Sequence, residues 1–151
     1  MQNMYKKVAV VVLGWCPPTI VDIEASNNAI SRAFSMVKQK FPADQYVLIS
    51  GLTDVGAHSH VYREAEALHW ELHGVACAKA YQHAIYPVKK AIIAGSEWDD
   101  FEEFDGLIQH ALSQNATLVV LNIGGGEKAK EVMEAFGHIG AFIYDSKLER
   151  Q

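Results

Sequence analysis

Only two cysteines occur in the sequence, Cys16 and Cys77, and they stand far apart. Two cysteines without close spacing form neither a disulfide framework nor a zinc ribbon, so both are expected to be reduced. Long basic runs are missing too: Lys and Arg come in ones and twos apart from Lys6-Lys7 and Lys89-Lys90, and the formal net charge is -5. Such a surface cannot track a phosphate backbone, which excludes duplex nucleic acid as a partner. A single phosphate is not excluded, because backbone N–H groups and a helix dipole bind anions without net positive charge. The apolar run Val8 to Leu13 falls far short of the ~20 residues a membrane-spanning helix needs. The residues before it lack the apolar core and cleavage site of a signal peptide. The expected location is therefore cytoplasmic, with no membrane partner.

What is present is a chain of 151 residues, 50% hydrophobic and 21% charged, a balance typical of a globular protein. That length suits one domain over residues 1–151. Two residue periods alternate along it. Lys7 to Leu13 is an unbroken, largely β-branched run ending at Gly14, as expected of a central parallel strand buried on both faces. Ala29, Ile30, Ala33, Phe34 and Val37 recur at three and four, the stripe of an amphipathic helix. Tyr46 to Ser50 reads as a second strand. Val61, Ala65, Leu68 and Leu72 read as a second helix, closed by Gly74 as a C-terminal cap.

Val75 to Ala78 is then a third strand and Ala91 to Ala94 a fourth. Phe101, Phe104, Leu107, Ile108, Ala111 and Leu112 mark a third helix, with Asp99 or Asp100 at its N-cap. Thr117 to Ile123 is a fifth strand that runs into Gly124-Gly125-Gly126. A last helix carries Ala129, Val132, Met133 and Phe136, and Ala141 to Tyr144 is a sixth strand. Strands alternating with helices over the whole length predict an α/β, three-layer, Rossmann-like fold: a mainly parallel sheet of about six strands with helices on both faces.

In such a sheet, ligands bind beyond the carboxyl ends of the strands, where strand order reverses. That rule selects loops before any motif is read. Four of them carry glycine: Gly14-Trp15-Cys16, Gly51-Leu52-Thr53-Asp54-Val55-Gly56, Gly95-Ser96, and Gly124-Gly125-Gly126 followed by Glu127 and Lys128. The triple glycine lets a phosphate approach the backbone while the next helix aims its N-terminal amides at it. Lys128 adds a mobile positive charge. The bland alternative is a tight turn where helix packs on sheet. Neither Gly-x-Gly-x-x-Gly after the first strand nor Gly-Lys-Ser/Thr after any strand is present, so ordinary dinucleotide dehydrogenases and P-loop NTPases are poor models.

Ile49-Ser-Gly-Leu-Thr-Asp-Val-Gly56 with Tyr62-Arg-Glu-Ala65, then Gly95, then Val120-Leu-Asn-Ile-Gly-Gly-Gly126 and Glu131, resemble the SLOG superfamily. This is the Rossmann-like domain shared by the DNA-processing protein Smf/DprA and the "lysine decarboxylase-like" phosphoribohydrolases. The resemblance implies binding of a nucleotide-like small molecule by a homodimer or higher homo-oligomer. Carried over, the signature Pro-Gly-Gly-x-Gly-Thr-x-x-Glu places its glycine pair on Gly124 and Gly125 and its catalytic glutamate on Glu131. Ile123 replaces the proline, Glu127 the third glycine and Lys128 the threonine, and Phe101 to Gln114 contains no Arg. The resemblance therefore implies a sensor or sequestering protein for a nucleotide signal such as a cyclic ADP-ribose derivative. The alternative is a nucleoside or nucleotide N-glycosidase using Glu131. No cofactor is expected.

Several residues carry two readings. Trp15 either stacks on a base or packs in an interface. Cys16 is a nucleophile or simply a small hydrophobe. Asp54 accepts from ribose hydroxyls or caps a helix. His69 and His73 stand one helical turn apart, but a third ligand and a placed carboxylate are missing, so no metal site is expected. His58 and His60 lie beside the crevice, where they can hydrogen-bond a ligand. The acidic residues Glu97, Asp99, Asp100, Glu102 and Glu103 read as a solvated helix start.

Overall fold

The computed structural model describes residues 5–19 and 21–149. Its first strand, β1 (Tyr5–Gly14), buries Val8 through Val12 completely or almost so. β-branched side chains suit a pleated surface that is covered on both sides. The helix α1 (Ile23–Lys40) begins where the Asp22 carboxylate accepts the Ala25 amide at 3.0 Å, a side-chain N-cap. It ends at Phe41, before Pro42. Then come β2 (Ala43–Ser50), α2 (Gly56–Ala67), β3 (Glu71–Ala76) and a short 3-10 segment, Ala78–Gln82. β4 (Lys90–Ile93), α3 (Phe101–Leu112), β5 (Thr117–Ile123), α4 (Glu127–His138) and β6 (Phe142–Ser146) complete the order.

All six strands pair in parallel, in the order β4-β3-β2-β1-β5-β6. The expected α/β architecture is what forms. Alternation along β1 divides the core: Val8, Val10 and Val12 face the layer of α1 and α2, where Ile30, Phe34, Val61 and Tyr62 are buried. Ala9 and Val11 face the layer of α3 and α4, with Leu107, Ala111, Val132 and Phe136. One strand thus feeds both layers, because successive side chains point to opposite faces. Strand order reverses between β1 and β5, and the Trp15 amide joins the two loops there by donating to the Ile123 carbonyl at 2.9 Å.

The second helix is shorter than its pattern predicts. It stops at Ala67, His69 turns the chain at a φ of 62°, and the Trp70 amide donates back to the Ala65 carbonyl. Leu72 and Gly74 belong instead to β3. The spacing from Leu68 to Leu72 fits a helix and also an inward-facing strand position, which is why periodicity misplaced it. Gly74 is no cap. It leaves room for Leu52, whose Cδ2 would lie 2.2 Å from a Cβ at that position. Among the described residues, no helix is long and apolar enough to cross a membrane.

Candidate functional site

The carboxyl ends of β1, β2 and β3 open into a cavity of about 500 Å³ bordered by α3 and the start of α4, with His58 of α2 also reaching it. Its walls are largely apolar: Val12 and Leu13 from β1, Val75 and Ala76 from β3, Phe104 and Leu107 from α3, Ala129 and Val132 from α4. Polar groups enter at a few points: Ser50, Thr53, His58, His83, Asp99, Glu103 and Lys128. A largely apolar cleft with a few convergent polar groups, beside a topological switch point, is the usual form of a small-molecule site.

Of the residues expected from sequence, Gly14, Cys16, Gly51, Thr53 and Lys128 line this cavity. The others have different surroundings. Trp15 is 8% exposed in the α1–α2 layer, and its indole N–H donates to Ser26 Oγ at 2.7 Å, so it packs in the core rather than against a ligand. Leu52 is fully buried beside Ala76 and Ala80. Asp54 neither caps α2, whose N-cap is Val55, nor faces the cavity; it pairs with Arg63 at 3.3 Å. Gly56 has φ +59°, and a Cβ there would stand 2.5 Å from the Trp15 carbonyl. Its lack of a side chain lets the β1 loop lie on the start of α2. Gly95 and exposed Ser96 also lie outside the cavity lining.

The triple glycine is partly closed by the protein itself. The Gly124 amide donates to the Ser146 carbonyl at 3.0 Å, and the Gly125 amide donates to Asn122 Oδ1 at 2.9 Å. Asn122 is 2% exposed and holds Asp145 through its amide group at 3.0 Å. The expected grip of Gly124 and Gly125 on a phosphate is thereby corrected, since a donor already used inside the fold is not offered to a ligand. Gly126 is the N-cap of α4 and makes no side-chain cap. The amides that remain for an anion belong to the first turn of that helix, which reaches the cavity through Lys128 and Ala129. Glu127 is exposed and pairs with Lys130, while Glu131 is 65% exposed, pairs with Lys128 at 3.4 Å and lies outside the lining.

Three side chains set the electrostatics. Burial lowers the His58 pKa to about 4, leaving the ring neutral near pH 7. Burial, with the Asp99 charge adding to it, pushes the Cys16 thiol up, which keeps it protonated and weakly nucleophilic. Glu103 is occupied structurally: it accepts the Cys77 amide at 2.6 Å and the Asp99 amide at 3.1 Å, tying the start of α3 to the end of β3. Asp100 is the N-cap of α3 by position but makes no side-chain cap. Among the described residues no group of three or more His, Cys, Asp or Glu is placed to hold a metal ion.

Ser50, His83, Trp98, Glu103 and Phe104 are cavity residues not singled out as ligand contacts by sequence reasoning. Ser50 ends a strand and Trp98 follows the Gly95-Ser96 turn, so the strand-end rule reaches both. His83 follows the 3-10 segment, and nothing local in the sequence points to it.

No family model and no curated protein matches the chain. Among solved structures, it is similar to the Moco carrier protein of Chlamydomonas rheinhardtii, with a TM-score of 0.62 and 16% identity over 93% of this chain and 76% of that one. A second structure of the Moco carrier protein from Chlamydomonas reinhardtii gives a TM-score of 0.50 and 14% identity over 95% and 91%. The molybdenum cofactor binding protein of Rippkaea orientalis gives 0.45 and 16% over 93% and 90%. At 16% and 14% identity, the likeness to the Moco carrier protein is one of fold.

Proposed function

We propose that this protein is a carrier or sensor that holds a phosphate-bearing heterocyclic small molecule in the cavity at the strand ends and releases it unchanged. The observation that carries the reading is the cavity itself: about 500 Å³, apolar along its walls, with Lys128 and the first turn of α4 on one side and the half-exposed Trp98 on another. That combination offers an anion a helix N-terminus and a cation, and offers a ring an apolar and aromatic bed. The resemblance to SLOG domains supports a nucleotide-derived ligand, a cyclic ADP-ribose derivative among them. The fold shared with the Moco carrier protein makes the molybdenum cofactor a second cargo to test.

Binding is favoured over N-glycosidase chemistry because Glu131, the carboxylate assigned by the family signature, stands in solvent outside the cavity. Two carboxylates do line it: Glu103 is spent on two backbone amides, and Asp99 is exposed to solvent. On the same reading the chain works as one SLOG-like domain in the cytoplasm, as a homodimer or higher homo-oligomer, and without duplex nucleic acid or a membrane as partner.

The test incubates the purified protein with AMP, cyclic ADP-ribose and the molybdenum cofactor, measures heat of binding, and analyses the recovered ligand by chromatography. Retention of one of these unchanged is the expected result. Release of a free base instead supports the glycosidase, and retention of none overturns the binding reading.

A further inference from the structure

One cavity side chain has its hydrogen-bonding polarity fixed by the backbone. Ser50, the last residue of β2 and 2% exposed, places its hydroxyl 2.9 Å from the Val12 carbonyl oxygen and 2.7 Å from His58 Nδ1. A serine hydroxyl has one proton, and a carbonyl oxygen can only accept. With that proton given to Val12, the contact with His58 is a hydrogen bond only if Nδ1 carries the imidazole proton and donates to Ser50. A neutral imidazole has one N–H, so Nε2 is left with an open lone pair. Burial keeps the ring neutral.

His58 lines the cavity, and among the described residues its Nε2 has no partner. Gly51 lies under that edge of the ring: a Cβ there would stand 3.3 Å from Nε2. A neutral acceptor contributes no charge for a phosphate and repels the lone pairs of a carbonyl or ring nitrogen. It rewards an N–H. Discrimination of this kind is large, because a ligand lacking the donor leaves a desolvated acceptor unpaired.

We infer that Nε2 of His58 is a specificity element, selecting ligands whose heterocycle presents an N–H or amino group to it, with Ser50 as the positioning residue that holds the required tautomer. The inference deepens the proposed binding function and rests on it. The aromatic surface of Trp98, whose ring centroid lies 6.0 Å from that of His83, lines the same cavity and suits the planar part of such a ligand.

The experiment has a part that needs no ligand. Long-range 15N–1H NMR on histidine-labelled protein at neutral pH should show His58 as the Nδ1–H tautomer, and Ser50→Ala should shift the ring toward Nε2–H. An Nε2–H ring in the unsubstituted protein overturns the inference. The second part compares AMP with purine riboside 5′-monophosphate, which differs only in lacking the amino group, by calorimetry on the native chain. AMP should bind roughly tenfold or more tightly, and His58→Phe should erase the difference. Equal affinities in the native protein overturn the selection by His58. Retention of neither ligand, with the Nδ1–H tautomer in place, overturns the nucleotide-binding premise and the inference with it.

Discussion

Asn122 Oδ1 accepts the amide proton of Gly125 at 2.9 Å, so the glycine bend after β5 is braced from within by the strand it leaves. Asn122→Ala is expected to lower stability by about 1 kcal/mol, because the half-buried Gly125 amide loses its partner, while exposed Asp145 can turn to water. Urea denaturation followed by circular dichroism measures this. An unchanged midpoint would show that the brace contributes nothing. Replacing Gly125 itself is a poorer probe of binding, since a Cβ there would stand 2.5 Å from Asn122 Oδ1 and 2.6 Å from Ala129 Cβ, disturbing the bend.

Trp15 and Trp98 should separate stability from binding. Trp15→Phe removes the bond to Ser26 in the core and is expected to cost about 1–2 kcal/mol, with ligand affinity unchanged. Trp98→Ala, at a residue 41% exposed beside the cavity, should weaken AMP binding by about tenfold and leave the denaturation midpoint almost where it was. The opposite pattern would move the aromatic contact to the α1–α2 layer.

Lys128→Glu should weaken a phosphate-bearing ligand by about tenfold or more, by reversing a charge in the first turn of α4. The loss should shrink as salt is raised, while the thermal midpoint stays close to that of the unsubstituted protein. Calorimetry at low and high ionic strength distinguishes this from a packing defect, which salt does not relieve.

Stability should fall as pH drops below about 6.5, the unperturbed histidine value. His73, fully buried, sits 2.8 Å from His110, with Lys7 and Lys90 near enough to disfavour a proton; Glu71 at 2.6 Å favours one but does not outweigh burial. Burial is the largest cause holding both histidines below their ordinary value, and it holds His58 at about 4. A histidine whose folded pKa is depressed stabilises the fold fully above its unfolded value, and that contribution is lost as pH falls toward the folded one. Glu71, held below the usual carboxylate range by its bond to Lys89, acts in the same direction at more acidic pH. Urea midpoints at pH 7.5 and 5.5 should show the drop, and His110→Gln should reduce it. Equal midpoints would contradict the arrangement.

Gly56→Ala should be the most damaging single substitution considered, at about 2 kcal/mol or more. It combines a φ of +59° with a Cβ placed 2.5 Å from the Trp15 carbonyl. Thermal unfolding measures it, and a loss under about 0.5 kcal/mol would mean the β1 loop gives way freely.

Element types were legible in the sequence because each rests on local periodicity. The run from Val8 to Val12 and the stripe from Ala29 to Val37 each admit one reading, and both form as read. Leu68, Leu72 and Gly74 admit two, and the pairing of Leu72 with Leu48 across the sheet, together with the space Leu52 takes above Gly74, settled them as turn and strand. The glycine loops were found for a sound reason, yet several serve packing: Gly56 beneath the Trp15 carbonyl and Gly125 against Asn122 look in sequence like any residue kept small for a ligand.

The chain by itself determined a parallel α/β sheet with helices on both faces, since hydrophobic period and β-branched runs act through neighbouring residues. Tertiary structure alone decided which polar groups are already spent and which face the cavity. Ser50 and His58 meet across eight positions, Asn122 and Asp145 across twenty-three, and Cys77 and Glu103 across twenty-six. The physical reason is that a hydrogen-bond donor or acceptor can be used only once or twice, and its partner is chosen by where the sheet brings distant loops together.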